Sequence, residues 1–481
     1  MNAMKSNKSA ALLWLALVLA IGFAIAILLP ITPNDYWWYL RLGQDILVKN
    51  AIPTVDTFTY SQAGTPVVYH SWGSAVLFYL AYKAGGLSLA VLLRAVLVTL
   101  AGFFLWLVCR RMNHGRLGTA LVLLLWVLTV SNNWSMRPQL FAYPLFAVSL
   151  WLLYKWREGC KKCIYWLPLI SLLWVNLHGS FILLVILVGA VLIFPPGDKA
   201  SSRKSLLLVL AGILLASLIN PRGLGAWTYV FTSLTVPSSQ LFSAEWLPPV
   251  NNHWQMNVFF AWLLIFPLLA AVSPRKLSRL EWTWFLVFGL LALWGERYVI
   301  WFVFILAILT AGLMADWEIR IFPDPKPGLP VMNYLLSAIF LLIPLVLLPG
   351  VRETWWQKAP PVTENTPIAA TDWLAGQGEL AGPLWSEIGF SSYLEYALPE
   401  RPTWIDTRFE VFPVDQWQAY QDISNAAYNW QDLLDGTEAN LLMVSRSNQP
   451  KLVSVLGGSS SWCDIYSDEV AVIFKRCGGG E

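Results

Sequence analysis

Residues 10–35, AALLWLALVLAIGFAIAILLPITPND, contain the feature that decides the fold. Residues 10–29 are apolar throughout, and about 20 apolar residues are enough for a helix to cross a bilayer. Lys5 and Lys8 precede this run, as in a signal peptide, but no small-residue cleavage site follows and Pro30 leads into Asp35. The stretch therefore predicts an uncleaved membrane helix with a charged group just beyond its end.

The composition extends this prediction to most of the chain. Of its 481 residues, 57% are hydrophobic and only 13% are charged, whereas soluble domains are about 25% charged. Residues 1–350 consist mainly of apolar runs, and residues 351–481 have the polarity of a soluble domain. The net charge is +3, and the basic residues lie in short loops between the apolar runs. This distribution is typical of membrane topology and does not indicate a nucleic-acid partner.

The apolar runs predict a polytopic α-helical membrane protein with about eleven transmembrane helices. The predicted spans are residues 10–29, 87–109, 117–133, 140–156, 164–177, 181–194, 205–219, 256–272, 282–294, 298–314 and 331–348. The pair 164–177 and 181–194 is short and forms a hairpin. Merging that pair into one span would break the alternation of charge between successive loops, so we keep both.

The distribution of Lys and Arg predicts the orientation. Alternate loops, such as 110–116, 155–162, 199–204 and 275–279, carry most of the basic residues. The positive-inside rule places these loops in the cytoplasm of a plasma (inner) membrane. The N-terminus is then cytoplasmic, and the C-terminal domain is extracytoplasmic.

The first outer loop, residues 31–86, is long enough to have structure of its own. Residues 35–48 have helical spacing, 52–60 are predicted to be extended and turning, and 72–83 form a second amphipathic helix. Another helix is predicted near residues 226–234, in a later outer loop. Such amphipathic helices suit the membrane interface.

The C-terminal region, residues 354–476, mixes short strand-like and helix-like runs. Strands are predicted at 383–385, 403–405, 441–444 and 470–474, and helices at 415–424 and 451–456. This alternation predicts a small α/β layer domain. The region has no Gly-rich phosphate loop and no spacing typical of a catalytic triad.

The five cysteines give no disulfide framework. Cys160 and Cys163 form a single CxxC in a basic loop, and without a second pair this is weak support for zinc binding or redox chemistry. Cys463 and Cys477 could pair if the C-terminal domain lies in an oxidising compartment.

Polar residues gather at the predicted outer face and form the candidate site. The catalytic candidate is Asp35, the substrate-binding candidates are Asp56, Arg137, His178, Arg222, Glu245 and Arg297, and no metal ligand is assigned. Charges at membrane depth are costly and tend to face a cavity or one another. Arginine can hold a phosphate through two hydrogen bonds, and a carboxylate can act as general base on a hydroxyl. Together they predict a lipid phosphate as leaving group and a hydroxyl or amine as acceptor.

Five of the seven candidates also have a structural alternative. Asp35 could cap the helix that follows it, and Asp56 could be a turn residue. Arg137 could anchor at the lipid headgroups. His178 could be a packed, hydrogen-bonded histidine, and Arg297 could form a structural ion pair with Glu296.

Several of these segments together resemble a known superfamily. Residues 33–47, 52–60 and 70–72 resemble the first outer loop of GT-C glycosyltransferases, closest to the protein O-mannosyltransferase and lipid A aminoarabinose transferase group. Later segments resemble large bacterial members whose substrate is unknown; these are 137–139, 176–180, 220–223, 245–246 and 404–408. The resemblance covers most of the chain.

The resemblance implies an inverting transfer, on the outer face, of a sugar from a polyprenyl-phosphate donor to a glycan, lipid or protein acceptor. By motif position Asp35 is the general base, whereas the phosphate-binding role of the arginines is inferred from their chemistry. Metal-dependent relatives carry a second acidic pair in a later outer loop. The loop at residues 131–137 has no acid, which leaves a divalent metal open.

Two functions from other classes stay open at this point. One is a transporter or a non-catalytic assembly partner for envelope glycans, which broken helices and inverted repeats would support. The hairpin near residues 176–179 is broken, but no repeat of it is found elsewhere in the sequence. The other is an O-antigen ligase or polymerase, which would place its large charged loop late in the chain, whereas here the long loop is the first.

Overall fold

The protein, represented by a computed structural model, divides into two compact units. Residues 2–113, 115–195, 199–321, 326–355, 361–380 and 382–477 are described. The first unit comprises Met1–Leu29, Gly85–Val230 and Ala244–Pro360, and the second comprises Pro30–Ala84, Phe231–Ser243 and Pro361–Glu481. The second unit thus groups nearly all of the long first loop with the C-terminal residues. The predicted division of the chain into residues 1–350 and 351–481 stays a prediction. Residues 356–360, which follow that boundary, lie outside the described residues.

Helices make up most of the described chain. They are α1 (Asn2–Leu28), α2 (Tyr36–Lys49), α3 (Trp72–Met112), α4 (Arg116–Val130), α5 (Gln139–Arg157), α6 (Leu167–Leu177), α7 (Ile182–Ile193), α8 (Lys199–Ser217), α9 (Gly225–Ser233), α10 (Pro237–Phe242), α11 (Trp254–Val272), α12 (Arg279–Trp294), α13 (Val299–Ile321), α14 (Pro330–Leu342), α15 (Pro349–Trp355), α16 (Ile368–Ala375), α17 (Ile388–Ala397), α18 (Val414–Ser424), α19 (Trp430–Asp435) and α20 (Pro450–Gly457). Short 3₁₀ turns occur at Ser131–Asn133, Cys163–Trp166, Gly179–Phe181, Ala244–Trp246, Glu296–Tyr298 and Ile343–Leu347.

Within the described residues, six helices are long and apolar enough to cross a membrane. They are Lys8–Leu28, Trp72–Met112, Arg116–Asn133, Trp254–Val272, Glu296–Ala315 and Pro330–Leu347, and Cys163–Leu177 and Gly179–Ile193 are shorter apolar helices. Every predicted span falls on helical residues. The polytopic membrane architecture is therefore confirmed, whereas the count of about eleven spans is not.

The core of the first unit forms around α13. Its apolar side chains from Val299 to Leu313 are almost completely buried, because α13 packs against α4, α11 and α12. Aromatic rings fill the centre, with the Phe304 centroid 5.2 Å from that of Trp126 and 5.4 Å from that of Phe146. Aromatic pairs at such separations add stability beyond the area that they bury.

The outward faces of several helices in this unit are apolar as well. Leu264 on α11 is 74% exposed and Val331 on α14 is 70% exposed. Contiguous exposed apolar surface is rare on soluble proteins but suits contact with lipid chains. The first unit therefore has the surface of a membrane domain.

The second unit contains a four-stranded sheet. Its strands are β1 (Leu384–Ser386), β2 (Leu441–Ser445), β3 (Trp462–Ser467) and β4 (Ala471–Arg476), in the order β1-β2-β4-β3. β1 and β2 are parallel, and the other neighbouring pairs are antiparallel.

Both faces of the sheet are covered. Trp385, Leu442 and Phe474 belong to one buried cluster, and Leu441 and Ile473 belong to another. Successive residues of a strand point to opposite faces, so the uninterrupted apolar run in β2 follows from its burial on both sides. The predicted α/β layer domain is thus observed within the second unit.

One predicted element of this region does not match the structure, and the strand β3 and the helices α16, α17 and α19 have no predicted counterpart. The predicted strand at residues 403–405 is wrong, because Thr403 makes only isolated bridges, to Thr59 and to Leu384. β3 was not predicted, since its residues lack the apolar content of a buried strand and are mostly exposed or half-buried.

The first-loop helices form as predicted, but α2 is not an exposed interfacial helix. Residues of α2 from Tyr36 to Ile46 are mostly buried. The helix lies so close to the start of α3 that a Cβ added at Gly43 would stand 2.2 Å from the carbonyl oxygen of Ala75. The helical part of α3 is interrupted at Gly85 and Gly86, and Gly86 has a φ of 60°, which favours glycine.

The cysteine expectation needs correction. The structure joins Cys160 to Cys163 as well as Cys463 to Cys477, and it leaves Cys109 as a buried thiol. The pairing of Cys463 with Cys477 agrees with the sequence. The bond within the CxxC was not expected, because a single such motif in a basic loop gives no spacing signal for it.

Replacing Gly43 by Ala should destabilise the packing of α2 on α3. The added methyl group would overlap backbone atoms, and overpacking of this kind costs about 1–3 kcal/mol. We expect Tm in detergent to fall by about 2–10 °C. Gly189→Ala in α7 is the matched control, since no atom lies within 4 Å of its added Cβ, and its Tm should be unchanged or higher. Equal Tm values for the two variants would contradict the close approach.

Candidate functional site

Asp35 stands immediately before α2 and is half-buried. Its backbone is already helical (φ −45°, ψ −34°), and its side chain makes no capping hydrogen bond to the first turn. The capping role that the sequence left open is therefore not seen. The assignment of Asp35 as a catalytic residue stays a prediction.

Backbone contacts within the second unit hold the segment that precedes Asp35. The amide of Ile31 donates to the carbonyl of Pro361 (2.8 Å), and the amide of Thr363 donates to the carbonyl of Ile31 (2.9 Å). The indole of Trp37 donates to the carbonyl of Thr32 (3.0 Å). The Asp35 segment is thus fixed at its start and again inside the first turn of α2.

The N-terminus of α17 packs against the same segment. A Cβ at Gly389 would stand 2.7 Å from the carbonyl oxygen of Pro33, so only glycine permits this approach. Glu387 caps α17 by accepting from the amide of Phe390 (3.0 Å), and Asn448 donates to its other oxygen (3.2 Å). Burial raises the pKa of Glu387. No sequence motif indicates Glu387, because its contact with Asn448 joins positions that are far apart along the chain.

Arg137, Glu245 and Arg297 come together in the first unit. Arg137 forms an ion pair with Glu245. The guanidinium carbon of Arg297 lies 4.3 Å from the ring centroid of Trp246, and a cation over an indole face is attracted by the ring electrons. Three of the predicted substrate-binding residues therefore form one cluster.

The electrostatics of this cluster favour a charged carboxylate. Burial on its own would raise the pKa of Glu245, but the positive charges of Arg137 and Arg297 outweigh that effect, and the pKa lies below its usual value. The 3₁₀ turns at Ala244–Trp246 and Glu296–Tyr298 are joined by a hydrogen bond from the amide of Glu296 to the carbonyl of Leu247 (2.9 Å). These two turns carry Glu245 and Arg297, so the hydrogen bond helps to hold the carboxylate near one of the two arginines.

A second group of polar residues extends the cluster. His253 Nε2 lies 3.3 Å from Glu296 Oε1 and 3.5 Å from Asn132 Nδ2, and its Nδ1 lies 3.1 Å from Gln255 Oε1. Glu296 thus pairs with His253, and no ion pair joins it to Arg297 among the described residues. No sequence pattern pairs these two residues, because 43 positions separate them along the chain.

His178 and Arg222 make local contacts. The Nδ1 of His178 accepts from the amide of Ser180 (3.1 Å) and lies 2.7 Å from its hydroxyl, at the start of a 3₁₀ turn. The amide of Arg222 donates to the side chain of Asn220 (2.8 Å) in a turn after α8. The hydrogen-bonded alternative for His178 agrees with this geometry, and the substrate-binding roles of both residues stay predictions.

Asp56 is buried in the second unit. It forms an ion pair with Arg408 (2.7 Å) and accepts from the amide and hydroxyl of Thr59 (3.2 and 2.5 Å). Arg408 also pairs with Asp406 (2.5 Å) and donates to the hydroxyl of Tyr69 (2.9 Å). This arrangement favours the interpretation of Asp56 as a structural residue of a turn. Its substrate-binding role stays a prediction.

Glu395 on α17 adds a third carboxyl group to this buried network. Burial raises its pKa well above the usual range, and the negative charge of Asp406 raises it further. The positive charge of Arg408 lowers the pKa of Glu395 but does not outweigh the effect of burial. Among the described residues, no group of three or more His, Cys, Asp or Glu side chains could hold a metal ion.

Comparison with known proteins identifies the fold. No protein-family model and no curated protein matches the chain in sequence. The oligosaccharyltransferase AglB from Archaeoglobus fulgidus, in complex with an inhibitory peptide and a dolichol-phosphate, is similar in structure at 12% identity and a TM-score of 0.57. The match covers 90% of this chain and 69% of AglB.

Two further glycosyltransferases have similar structures. Apo ArnT from Cupriavidus metallidurans matches with a TM-score of 0.53 and 12% identity, over 94% of this chain and 95% of ArnT. The arabinofuranosyltransferase AftD from Mycobacteria matches with a TM-score of 0.54 and 14% identity, over 96% of this chain but 41% of AftD. All three are GT-C membrane glycosyltransferases. The resemblance stated from the sequence is therefore confirmed for the fold.

The raised pKa of Glu395 predicts how the stability of the fold depends on pH. Because Glu395 holds its proton more tightly in the folded protein, the free energy of unfolding should fall as pH rises above about 4.3, the pKa of an unfolded Glu. Glu395→Gln, which imitates the protonated form, should reduce this fall between pH 5 and 8, as measured by Tm in detergent. Glu438→Gln, which changes an exposed carboxylate of the same unit, should leave the dependence unchanged. Identical pH profiles for wild type and Glu395→Gln would contradict the proton assignment.

Proposed function

We propose that this protein is an integral-membrane glycosyltransferase. It transfers a sugar from a polyprenyl-phosphate donor to a glycan, lipid or protein acceptor on the outer face of the membrane. The observation that carries the proposal is the GT-C fold, shared with ArnT over nearly the whole length of both chains, together with a carboxylate directly after the first span. AglB binds a dolichol-phosphate, and a further ArnT structure contains undecaprenyl phosphate; we extend that ligand class to this chain.

The group formed by Arg137, Glu245 and Arg297, here called the arginine cluster, is the proposed binding site for the phosphate of the donor. Guanidinium groups bind phosphate through paired, charge-assisted hydrogen bonds. Arg137 and Arg297 are the principal candidates, because both act on a single anionic group in the structure. His178, Arg222 and Asp56 are retained as further candidates from the sequence.

Asp35 is assigned as the general base of a single displacement that inverts the anomeric carbon. The acceptor hydroxyl oxygen attacks that carbon, and its proton passes to the Asp35 carboxylate. The bond from the anomeric carbon to the phosphate oxygen breaks, and polyprenyl phosphate leaves with the bonding electrons. Arginine charges stabilise the departing phosphate without accepting a proton.

Replacing Asp35 by Asn should abolish transfer, because an amide cannot take the proton. General-base catalysis contributes about 10²–10⁴-fold, and we expect a loss of that size in kcat with Tm unchanged. The assay supplies radiolabelled polyprenyl-phosphate sugars and a membrane extract to protein in nanodiscs. Asp45→Asn is the matched control, since Asp45 only pairs with Arg41 (3.0 Å) and Lys49 (3.1 Å) within α2.

The outcomes separate the hypotheses. An active Asp35→Asn variant would disprove the base assignment. Folded wild-type protein that binds lipid phosphate but transfers no sugar from the whole panel would favour a transporter or assembly partner.

We propose a plasma-membrane location with the N-terminus in the cytoplasm and the C-terminal domain outside, from the loop charges. Thiol labelling in intact cells tests this orientation. In a variant that lacks the Cys109 thiol, a reducing cytoplasm should open the bond between Cys160 and Cys163, so that a permeant maleimide labels both residues. Cys463 and Cys477 should be labelled only after reduction. Variants that lack one pair assign the label to the other. Protection of both pairs before reduction would contradict the proposed orientation of the loop at residues 155–162.

A further inference from the structure

The arginine cluster holds a carboxylate where an anionic ligand would bind. Glu245 Oε1 accepts a hydrogen bond from Arg137 Nη1. Arg297 acts on the same carboxylate electrostatically, while its guanidinium lies over the ring of the adjacent residue, Trp246. Glu245 therefore takes the position of a counter-ion for two guanidinium groups.

We propose that Glu245 is a resident anion that the phosphate of the lipid carrier displaces from Arg137 and Arg297. This inference rests on the proposed function, because it takes a polyprenyl phosphate as the ligand. It assigns Glu245 a competitive role, unlike the substrate-binding role suggested by the sequence.

The ion pair is weak enough to be displaced. The side chains of Arg137 and Glu245 are 30% and 44% exposed. Water screens the charges of such partly exposed ion pairs, so they contribute little to stability. A phosphate group offers more acceptor oxygens and up to twice the charge, so it forms stronger paired hydrogen bonds with arginine.

The local backbone agrees with this role. Glu245 lies in a three-residue 3₁₀ turn between α10 and α11, outside any longer helix. Arg137 immediately precedes the segment that leads into α5, and Arg297 lies in the short turn between α12 and α13. All three charged residues therefore lie in turns or connections between the longer helices.

A binding experiment tests the proposal apart from catalysis. The probe is undecaprenyl phosphate, with undecaprenol as the uncharged lipid of the same chain, and affinity is measured by thermophoresis of detergent-solubilised full-length protein. Removing the competing charge in Glu245→Gln should tighten binding of undecaprenyl phosphate about two- to fivefold at low salt. The gain should shrink at about 1 M salt, where charges are screened over about 3 Å, and undecaprenol binding should not change.

The chain provides a matched control in a second ion pair of the same kind. Arg111 pairs with Glu158, and their side chains are 31% and 45% exposed. Glu158→Gln changes the net charge equally but should leave the affinity for undecaprenyl phosphate as in wild type. An equal gain in this variant would assign the effect to overall charge and overturn the proposal.

Arginine variants complete the test. Arg137→Gln and Arg297→Gln should weaken binding of undecaprenyl phosphate, and Glu245→Gln should no longer improve it when combined with both. Weaker or unchanged binding in Glu245→Gln alone would overturn displacement. If the binding effects are as expected but the wild-type protein transfers no sugar, the proposed enzyme is wrong and the displacement proposal stands. The failure of either proposal can therefore be told from the failure of the other.

Discussion

The guanidinium of Arg408 lies between the carboxylates of Asp56 (2.7 Å) and Asp406 (2.5 Å), with all three side chains almost fully buried. An arginine buried without such partners would be strongly unfavourable, and breaking a buried pair typically costs about 3–5 kcal/mol. The interaction joins the long first loop to C-terminal residues within the second unit. The segment before Asp35 is held by other contacts between the same two stretches of chain.

The segment before Asp35 is contacted from two sides within the second unit. The carbonyl of Pro361 and the amide of Thr363 bond to Ile31 on one side, and the N-terminus of α17 approaches Pro33 on the other. A candidate base held in this way needs little rearrangement to act, which is the usual advantage of a preorganised group. The C-terminal residues of the second unit therefore help to hold the segment that carries the candidate catalytic residue.

The first unit follows a different constraint. Lipid offers no hydrogen-bond partners, so the backbone within it must be helical, and the polar side chains concentrate in the turns between helices. Arg137, Glu245 and Arg297 all belong to such turns or connecting segments. The positive charges of Arg137 and Arg297 hold the pKa of Glu245 below its usual value.

The sequence by itself determined the membrane architecture, the first-loop helices, β1, β2 and β4, and the resemblance to GT-C enzymes. These features follow from apolar run length, side-chain periodicity and local motif order, all of which act over a few turns of chain. Tertiary structure alone decided that Glu245 pairs with Arg137, that Glu296 pairs with His253, and that Asp56 is buried against Arg408. It also decided that Thr403 forms only isolated bridges. Such pairings join residues that are far apart in sequence, and no local pattern encodes which distant charge or strand will come within reach.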